Sequence, residues 1–81
     1  MTTLTTEILQ DLTFHTPPEA RGQAIECSYA YEPEAEVVVR RCYDRSDLTT
    51  RYQISHDAYA AETDLINYEP DVDDWESIEV R

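Results

Sequence analysis

Two alternating segments, separated by a short turn-like stretch, constrain the fold of this chain more than any other feature. In residues 23–32 every second position is apolar or aromatic: Ile25, Cys27, Tyr29 and Tyr31. Residues 36–45 give a second strand, whose two faces carry Val37, Val39, Arg41 and Tyr43 on one side and Val38, Arg40 and Cys42 on the other. A period of two is typical of a half-buried β-strand. Because residues 33–35 are turn-like and join the two segments, the pattern predicts an antiparallel hairpin.

The register of this hairpin decides which side chains meet across the strands. If Tyr31 lies opposite Val37, apolar residues pair with apolar residues across a loop of about three residues. A shift by one residue places Cys27 opposite Cys42 instead. We expect the first register, because it buries more apolar surface on one face.

The expected state of the two cysteines, Cys27 and Cys42, depends on whether the protein is found in a reducing or an oxidising compartment. Residues 1–4 lack a basic region followed by an apolar one, so no secretory signal is visible and a cytoplasmic location is expected. Disulfides are rare in reducing compartments, so buried thiols are expected, with a cross-strand disulfide as the alternative. The cysteines lie fifteen residues apart rather than in a Cys-x-x-Cys pair, which gives little support to a redox or zinc site.

The remaining elements follow from spacing and capping residues. Leu4, Ile8, Leu9 and Leu12 lie on one helical face and predict a helix over residues 3–13, capped by Thr3 or Thr5, with an edge strand as the alternative. Residues 50–56 predict a third strand. Residues 57–67 predict a short helix that Asp57 caps and Asn67 ends, with a continued strand as the alternative. Residues 75–80 alternate again and predict a last strand.

Together these elements predict a single acidic α+β domain over residues 1–81. It contains a small antiparallel sheet of three to four strands in a β-meander, an N-terminal helix, and a short helix before the last strand. We expect both helices to cover one face of the sheet. The other face is expected to be solvated and rich in glutamate, or bound to another molecule.

The charge balance excludes several classes of partner. The chain has 18 acidic residues against 6 arginines and no lysine, which gives a net charge of −12. Direct binding to nucleic acid requires cationic side chains that neutralise phosphate, so it is not expected. Anionic membrane surfaces are excluded for the same reason. No apolar run approaches the 18 residues that a transmembrane helix needs.

The sequence offers no motif for catalysis or for a cofactor. Gly22 is the only glycine, so a phosphate-binding loop of the glycine-rich type is absent. A calcium loop that began at Glu69 would place Asp74 where glycine is required and Val80 where glutamate is required. No nucleophile pattern accompanies the two histidines. We therefore expect a protein that is not an enzyme and that holds no metal or cofactor.

What remains is a pattern of closely spaced carboxylates. In an extended chain, alternate residues are about 6.7 Å apart, similar to successive phosphates along a nucleic-acid backbone. Such a surface would attract a partner with a basic groove; a solvated face or salt adaptation is the alternative. The residues expected to bind the partner are acidic, with one tryptophan as an aromatic anchor: Glu32, Glu34, Glu36, Asp71, Asp73, Asp74, Trp75 and Glu76.

In size and charge the chain resembles the acidic phage or mobile-element proteins that mimic nucleic acid, some of which block restriction enzymes or CRISPR effectors. The resemblance is one of composition, covers no motif, and carries over no residue. It implies an inhibitor that occupies a basic groove of a nucleic-acid-handling protein. The alternative is a structural or assembly subunit, such as a homodimer, formed through an edge strand or through a tyrosine-rich sheet face with Tyr29, Tyr31, Tyr43 and Tyr52.

Overall fold

The computed structural model describes residues 3–80 and has an α+β fold, with a four-stranded antiparallel sheet and two short helices. In chain order the elements are β1 (Thr3–Leu4), α1 (Thr6–Asp11), a 3-10 turn (Pro18–Ala20), β2 (Ile25–Glu32), β3 (Val37–Asp44), β4 (Thr49–Ser55), α2 (Ala58–Glu62), β5 (Glu76–Ser77) and β6 (Glu79–Val80). The sheet order is β2-β3-β4-β5, and β1 pairs separately with β6 in parallel. The predicted fold class is confirmed.

The hairpin of β2 and β3 adopts the register that we did not expect. Glu32 lies opposite Val37, and Cys27 lies opposite Cys42. The connecting turn has four residues, 33–36, and its last residue, Glu36, has a φ of 55°. Cys27 and Cys42 form a disulfide across the two strands, with their Cα atoms 4.1 Å apart. The expected register and the expected free thiols are therefore both wrong.

The register prediction failed because it assumed that only one face of the sheet is buried. On one face, α1 covers a cluster whose fully buried members are Val37, Val39 and Ile54. On the opposite face, α2 and the chain after it cover Tyr29 and Val38. The helices thus lie on opposite faces, contrary to the expectation. Because both faces of the sheet bury apolar side chains, the apolar surface that becomes buried no longer favours the expected register over the observed one.

Helix α1 begins after Thr5, one of its two predicted caps, so Thr3 and Leu4 lie in β1 and not in the predicted helix. Helix α2 begins after Asp57 as predicted, and both helices end earlier than expected. The Ile8 amide donates to Thr5 Oγ1 (3.2 Å), and the Tyr59 amide donates to Asp57 Oδ1 (2.8 Å). These bonds satisfy amides that a helix start leaves unpaired. The residue that follows α1 is already extended, and α2 ends at Glu62 because Thr63 leaves the helical conformation. Asn67 therefore does not end α2.

The predicted last strand is divided into two short strands around Ile78. β5 pairs with β4 and places Glu76 opposite Ile54, whereas β6 pairs with β1. The Ile78 amide donates to the Tyr52 carbonyl (3.3 Å), and its side chain packs against the cluster under α1. The chain thus changes partner within five residues, which an alternating pattern alone does not reveal.

The outer edge of β2 is paired at one point only among the described residues. His15 and Tyr29 form an isolated antiparallel bridge, in which each amide donates to the other carbonyl at 2.8 Å. The same segment is fixed by a hydrogen bond of 2.7 Å between the hydroxyls of Thr16 and Ser28. The segment before the 3-10 turn therefore crosses the edge of the sheet at the middle of β2.

Candidate partner-binding surface

The two predicted acidic runs lie at the same end of the sheet. Glu34 and Glu36 are in the β2–β3 turn, and the register brings the last residue of β4, Ser55, opposite Val38 near that turn. The Ser55 hydroxyl donates to Asp74 Oδ1 at 2.6 Å, which holds the second run at this end. We call this region the acidic end. Its exposed carboxylates are Asp11, Glu34, Glu36, Asp57, Asp73, Asp74 and Glu76.

Glu32 belongs to the same end but is turned inward. Its side chain is only 5% exposed, and its carboxylate accepts hydrogen bonds from the amides of Glu34 (3.1 Å) and Ala35 (2.6 Å). These charge-assisted bonds fix the β2–β3 turn. Glu32 thus builds the surface on which Glu34 and Glu36 are exposed, and its carboxylate is already occupied.

The expected regular spacing of the carboxylates is not observed. Residues 33–36 form a turn rather than an extended strand, and residues 70–74 are irregular. The spacing of 6.7 Å was an extended-chain value and does not apply to either segment. Asp71 lies on the second run, two residues before Asp73, and is exposed. The acidic end is therefore a cluster of carboxylates on several segments, without the periodicity of a nucleic-acid backbone.

Trp75 is not available as a free aromatic anchor. Its ring is half-buried and lies 6.0 Å from the Tyr29 ring, and the Arg40 guanidinium stacks 4.2 Å above its centroid. Arg40 also donates from Nε to Gln53 Oε1 at 2.8 Å. Burial, followed by the charge of Glu69, raises the pKa of Tyr29 to about 12, so its hydroxyl stays protonated. Trp75 is thus a packing residue of the cluster under α2.

Four of the five described arginines lie between the middle of the sheet and its other end, and the Arg40 guanidinium reaches back to stack on Trp75. We call the end of the sheet that carries the β3–β4 turn, residues 45–48, the arginine end. Arg40, Arg41 and Arg51 lie between the middle of the sheet and this turn, since they face Tyr29, Ser28 and Cys42 in the register. Arg45 begins the turn itself. The remaining described arginine, Arg21, precedes the start of β2.

Carboxylates at the arginine end have local partners. Arg45 Nη2 lies 3.0 Å from Glu26 Oε2, which also accepts from the Gly22 amide at 3.0 Å. The Gly22 amide, followed by Arg45, lowers the pKa of Glu26. The hydroxyl of Ser46, followed by its amide, lowers the pKa of Asp44. Ionised carboxylates are thus stabilised at this end.

The proposed tyrosine-rich face does not exist as one surface. In the observed register Tyr29 and Tyr31 lie on the face covered by α2, while Tyr43 and Tyr52 lie on the face covered by α1. Tyr29 is buried in addition. The homo-oligomer interpretation therefore loses this surface and rests on the edge-strand alternative alone.

Two exposed tyrosines, Tyr59 and Tyr68, were not predicted as site residues from the sequence. Tyr59 and Tyr68 line one hollow together with Glu62, Thr63 and Asp64. No signal in the sequence marks Tyr68, because it lies in an irregular turn after α2.

The described part of the chain contains no group of three or more His, Cys, Asp or Glu side chains placed to hold a metal ion. Between residues 3 and 80, no helix has the length and apolar character needed to cross a membrane. Comparison with protein families, with curated proteins and with solved structures finds no match to this chain.

Proposed function

We propose that this protein is a non-enzymatic interaction protein whose acidic end occupies a basic groove of a nucleic-acid-handling protein. A restriction or CRISPR-type defence enzyme is the partner class that we infer. In that groove the carboxylates would take the place of nucleic-acid phosphates and so inhibit the partner. The observation that carries the proposal is the segregation of charge between the acidic end and the arginine end.

This segregation has an electrostatic cost that a purely structural role does not explain. Like charges gathered at one end repel one another and lower the stability of the compact state. Interspersed charges would keep the protein equally soluble at a smaller cost. A one-sided field, in contrast, steers a cationic partner towards the acidic end and increases the rate of association.

A nucleic-acid-binding groove is the cationic surface that best fits such an end. Grooves of this kind gather lysine and arginine to neutralise phosphate, and their binding weakens steeply as salt is added. The irregular placement of Glu34, Glu36 and Asp73 means that the proposal rests on charge density rather than on phosphate-like spacing. We therefore expect binding of the partner to weaken strongly with added salt and to change little when a single carboxylate of the acidic end is substituted.

Paired charge reversal tests the proposal. Asp71→Lys with Asp73→Lys reverses two charges of the second acidic run, including Asp73 of the acidic end, and spares Asp74, which is bonded to Ser55. The matched control, Glu7→Lys with Asp47→Lys, makes the same change in net charge elsewhere. Affinity capture from the native host at several salt concentrations is the measurement, and added nucleic acid is then used as a competitor for each captured protein.

The proposal expects capture to be lost in the Asp71/Asp73 variant, kept in the control, and reversed by nucleic acid. Capture that is equal in both variants at moderate salt would overturn it. A partner that nucleic acid does not displace would overturn the inference that the carboxylates mimic phosphates.

A further inference from the structure

A hollow after α2 combines exposed aromatic rings with carboxylates. Tyr59 and Tyr68 are 57% and 63% exposed, and Glu62 and Asp64 lie in the same lining. The hollow has a volume of about 320 Å³. Since pockets for small molecules cover roughly 300–1,000 Å³, this one suits a single side chain better than a cofactor.

Local hydrogen bonds hold this segment in shape. Thr63 Oγ1 donates to the Tyr59 carbonyl at 2.8 Å, and the Tyr68 amide donates to the Asp64 carbonyl at 2.9 Å. The Asp64 carboxylate accepts from the amide of Ile66 (3.1 Å) and from Asn67 Nδ2 (2.9 Å). Tyr59 on α2 and Tyr68 after the following turn are therefore carried on a backbone that is already ordered, which reduces the entropy lost when a ligand binds.

The segment is also fastened to the body of the protein. Ala60 is fully buried against Val38, and Leu65 packs against the same cluster. The Glu69 amide donates to Glu19 Oε1 at 3.1 Å, and Glu69 Oε1 accepts from the Tyr29 hydroxyl at 3.4 Å. One side of the hollow therefore packs against the core, and its two tyrosines face solvent.

Aromatic rings beside carboxylates are suited to a cation. The face of a tyrosine ring attracts an ammonium or guanidinium group, and a carboxylate adds a charge-assisted hydrogen bond. The hydrogen bond from the Asn67 side chain, with those from nearby amides, lowers the pKa of Asp64, so this carboxylate is ionised at neutral pH.

The chain contains arginine and no lysine, and two of its arginines stack on aromatic rings. Arg40 stacks on Trp75 at 4.2 Å, and Arg41 stacks on Phe14 at 4.3 Å. Within residues 3–80, these are the two places where a cation lies over a ring, and neither includes Tyr59 or Tyr68. A flat guanidinium can stack on a ring and also donate two parallel bonds to a carboxylate, which a lysine ammonium cannot do. Glu62 is the carboxylate for such a pair, because both Asp64 oxygens already accept hydrogen bonds within the turn.

We infer that the hollow of Tyr59, Glu62, Asp64 and Tyr68 binds an arginine side chain of the partner protein. The inference rests on the proposed function, because it supplies the aromatic anchor of a contact with a basic partner. In this role Tyr59 and Tyr68 replace Trp75, which Arg40 already covers.

A titration that needs no partner tests the hollow directly. Backbone amide chemical shifts of the full chain are recorded while L-argininamide is added, with L-lysinamide and sodium chloride at matched ionic strength as the other arms. The variants are Tyr59→Leu with Tyr68→Leu, which keep apolar bulk and remove the rings, and Glu62→Gln. Tyr43→Leu is the control, because Tyr43 is an exposed tyrosine on β3 away from the hollow.

Argininamide is expected to give saturable shifts confined to residues 59–68 and to bind more tightly than lysinamide. Loss of both rings should weaken its binding about fivefold, as expected for two exposed cation–π contacts. Glu62→Gln should weaken binding less, and Tyr43→Leu should leave it unchanged. Circular dichroism shows whether a variant has folded. If the double leucine variant has not, Tyr59→Phe with Tyr68→Phe is used in its place and is expected to retain argininamide binding.

The inference is overturned if sodium chloride produces the same shifts, if lysinamide binds as tightly, or if the double leucine variant binds like the wild type. Asp71→Lys with Asp73→Lys is expected to change the affinity of the hollow for argininamide by no more than about twofold. Failure of the hollow and failure of the acidic end are therefore distinguishable, since each has its own variant and its own readout.

Discussion

The two turns of the β-meander have the same construction and opposite electrostatic surroundings. Each has four residues, 33–36 and 45–48, and each ends on a residue in the left-handed region, Glu36 at 55° and Leu48 at 57°. In each, the carboxylate before the turn accepts the amide two residues later: Glu32 from Glu34 at 3.1 Å, and Asp44 from Ser46 at 2.9 Å.

The difference lies in what surrounds these similar turns. The β3–β4 turn carries Arg45, which pairs with Glu26 on β2. The β2–β3 turn carries Glu34 and Glu36, and the nearby segments add further carboxylates. Since the turn geometry is the same in both, folding does not require the uncompensated charge. The charges of the acidic end can therefore be changed without changing the conformation of the turn that carries them.

The largest expected effect concerns the disulfide, which encloses the β2–β3 turn and leaves the β3–β4 turn outside its loop. Cys27 and Cys42 are 15 residues apart, so loss of the cross-link is expected to lower the free energy of unfolding by about 3 kcal/mol. Chemical denaturation with and without dithiothreitol measures this loss. Cys27→Ser with Cys42→Ser should match the reduced wild type; equal midpoints for the oxidised and reduced protein would contradict the expectation.

A second test separates the turn from its charge. Glu32→Ala removes the carboxylate that accepts two turn amides and should cost about 2 kcal/mol, because partly buried amides lose charge-assisted bonds. The exposed Glu34→Ala, in the same turn, should change stability by no more than about 0.5 kcal/mol. Thermal unfolding of the two variants gives the comparison. If both lose the same amount, Glu32 is not the residue that fixes the turn.

Glycine at the left-handed positions should stabilise both turns. Leu48→Gly relieves the crowding of a Cβ at positive φ and is expected to add about 0.5–1 kcal/mol after the entropy cost of glycine. Leu48→Ala keeps the Cβ and should give no such gain. Glu36→Gly should gain more than Leu48→Gly, because it also removes a charge from the acidic end. An equal gain at both turns would show that repulsion there is negligible.

The smallest expected effect is pH-dependent and lies at the arginine end. The pKa of Glu26 is lowered in the folded state, so its ionised form contributes stability above the pKa of the unfolded chain. That contribution is lost as pH falls through the lowered pKa. Arg45→Gln should therefore be slightly less stable than the wild type at neutral pH and should match it in acid. A difference that persists undiminished at about pH 2 would contradict this assignment.

Local patterns predicted the elements well and the contacts between them less well. Alternation identified β2 and β3, and Thr5 and Asp57 correctly predicted where the helices start. The register was wrong because alternation shows which residues share a face, while the choice between registers depends on what covers each face. That coverage comes from α1 and α2, which are remote in sequence from the hairpin.

The candidate surface was predictable in charge and unpredictable in detail. The acidic runs are visible in the sequence, and their meeting at one end follows from pairing that no local pattern encodes. Glu32 and Trp75 were misjudged because each is used internally, by turn amides and by Arg40. Tyr59 and Tyr68 were missed because nothing in the sequence places them in one hollow.

The bridge between His15 and Tyr29 has a consequence for self-association. An open strand edge offers a row of unpaired amides and carbonyls on which a second sheet can grow. The bridge occupies these groups at the centre of β2, so an incoming strand would find only short stretches on either side. An intermolecular sheet could extend from β2 only after residues 13–17 had detached from this edge. Backbone pairing thus protects this edge even at high salt, where mutual repulsion between the acidic molecules fades.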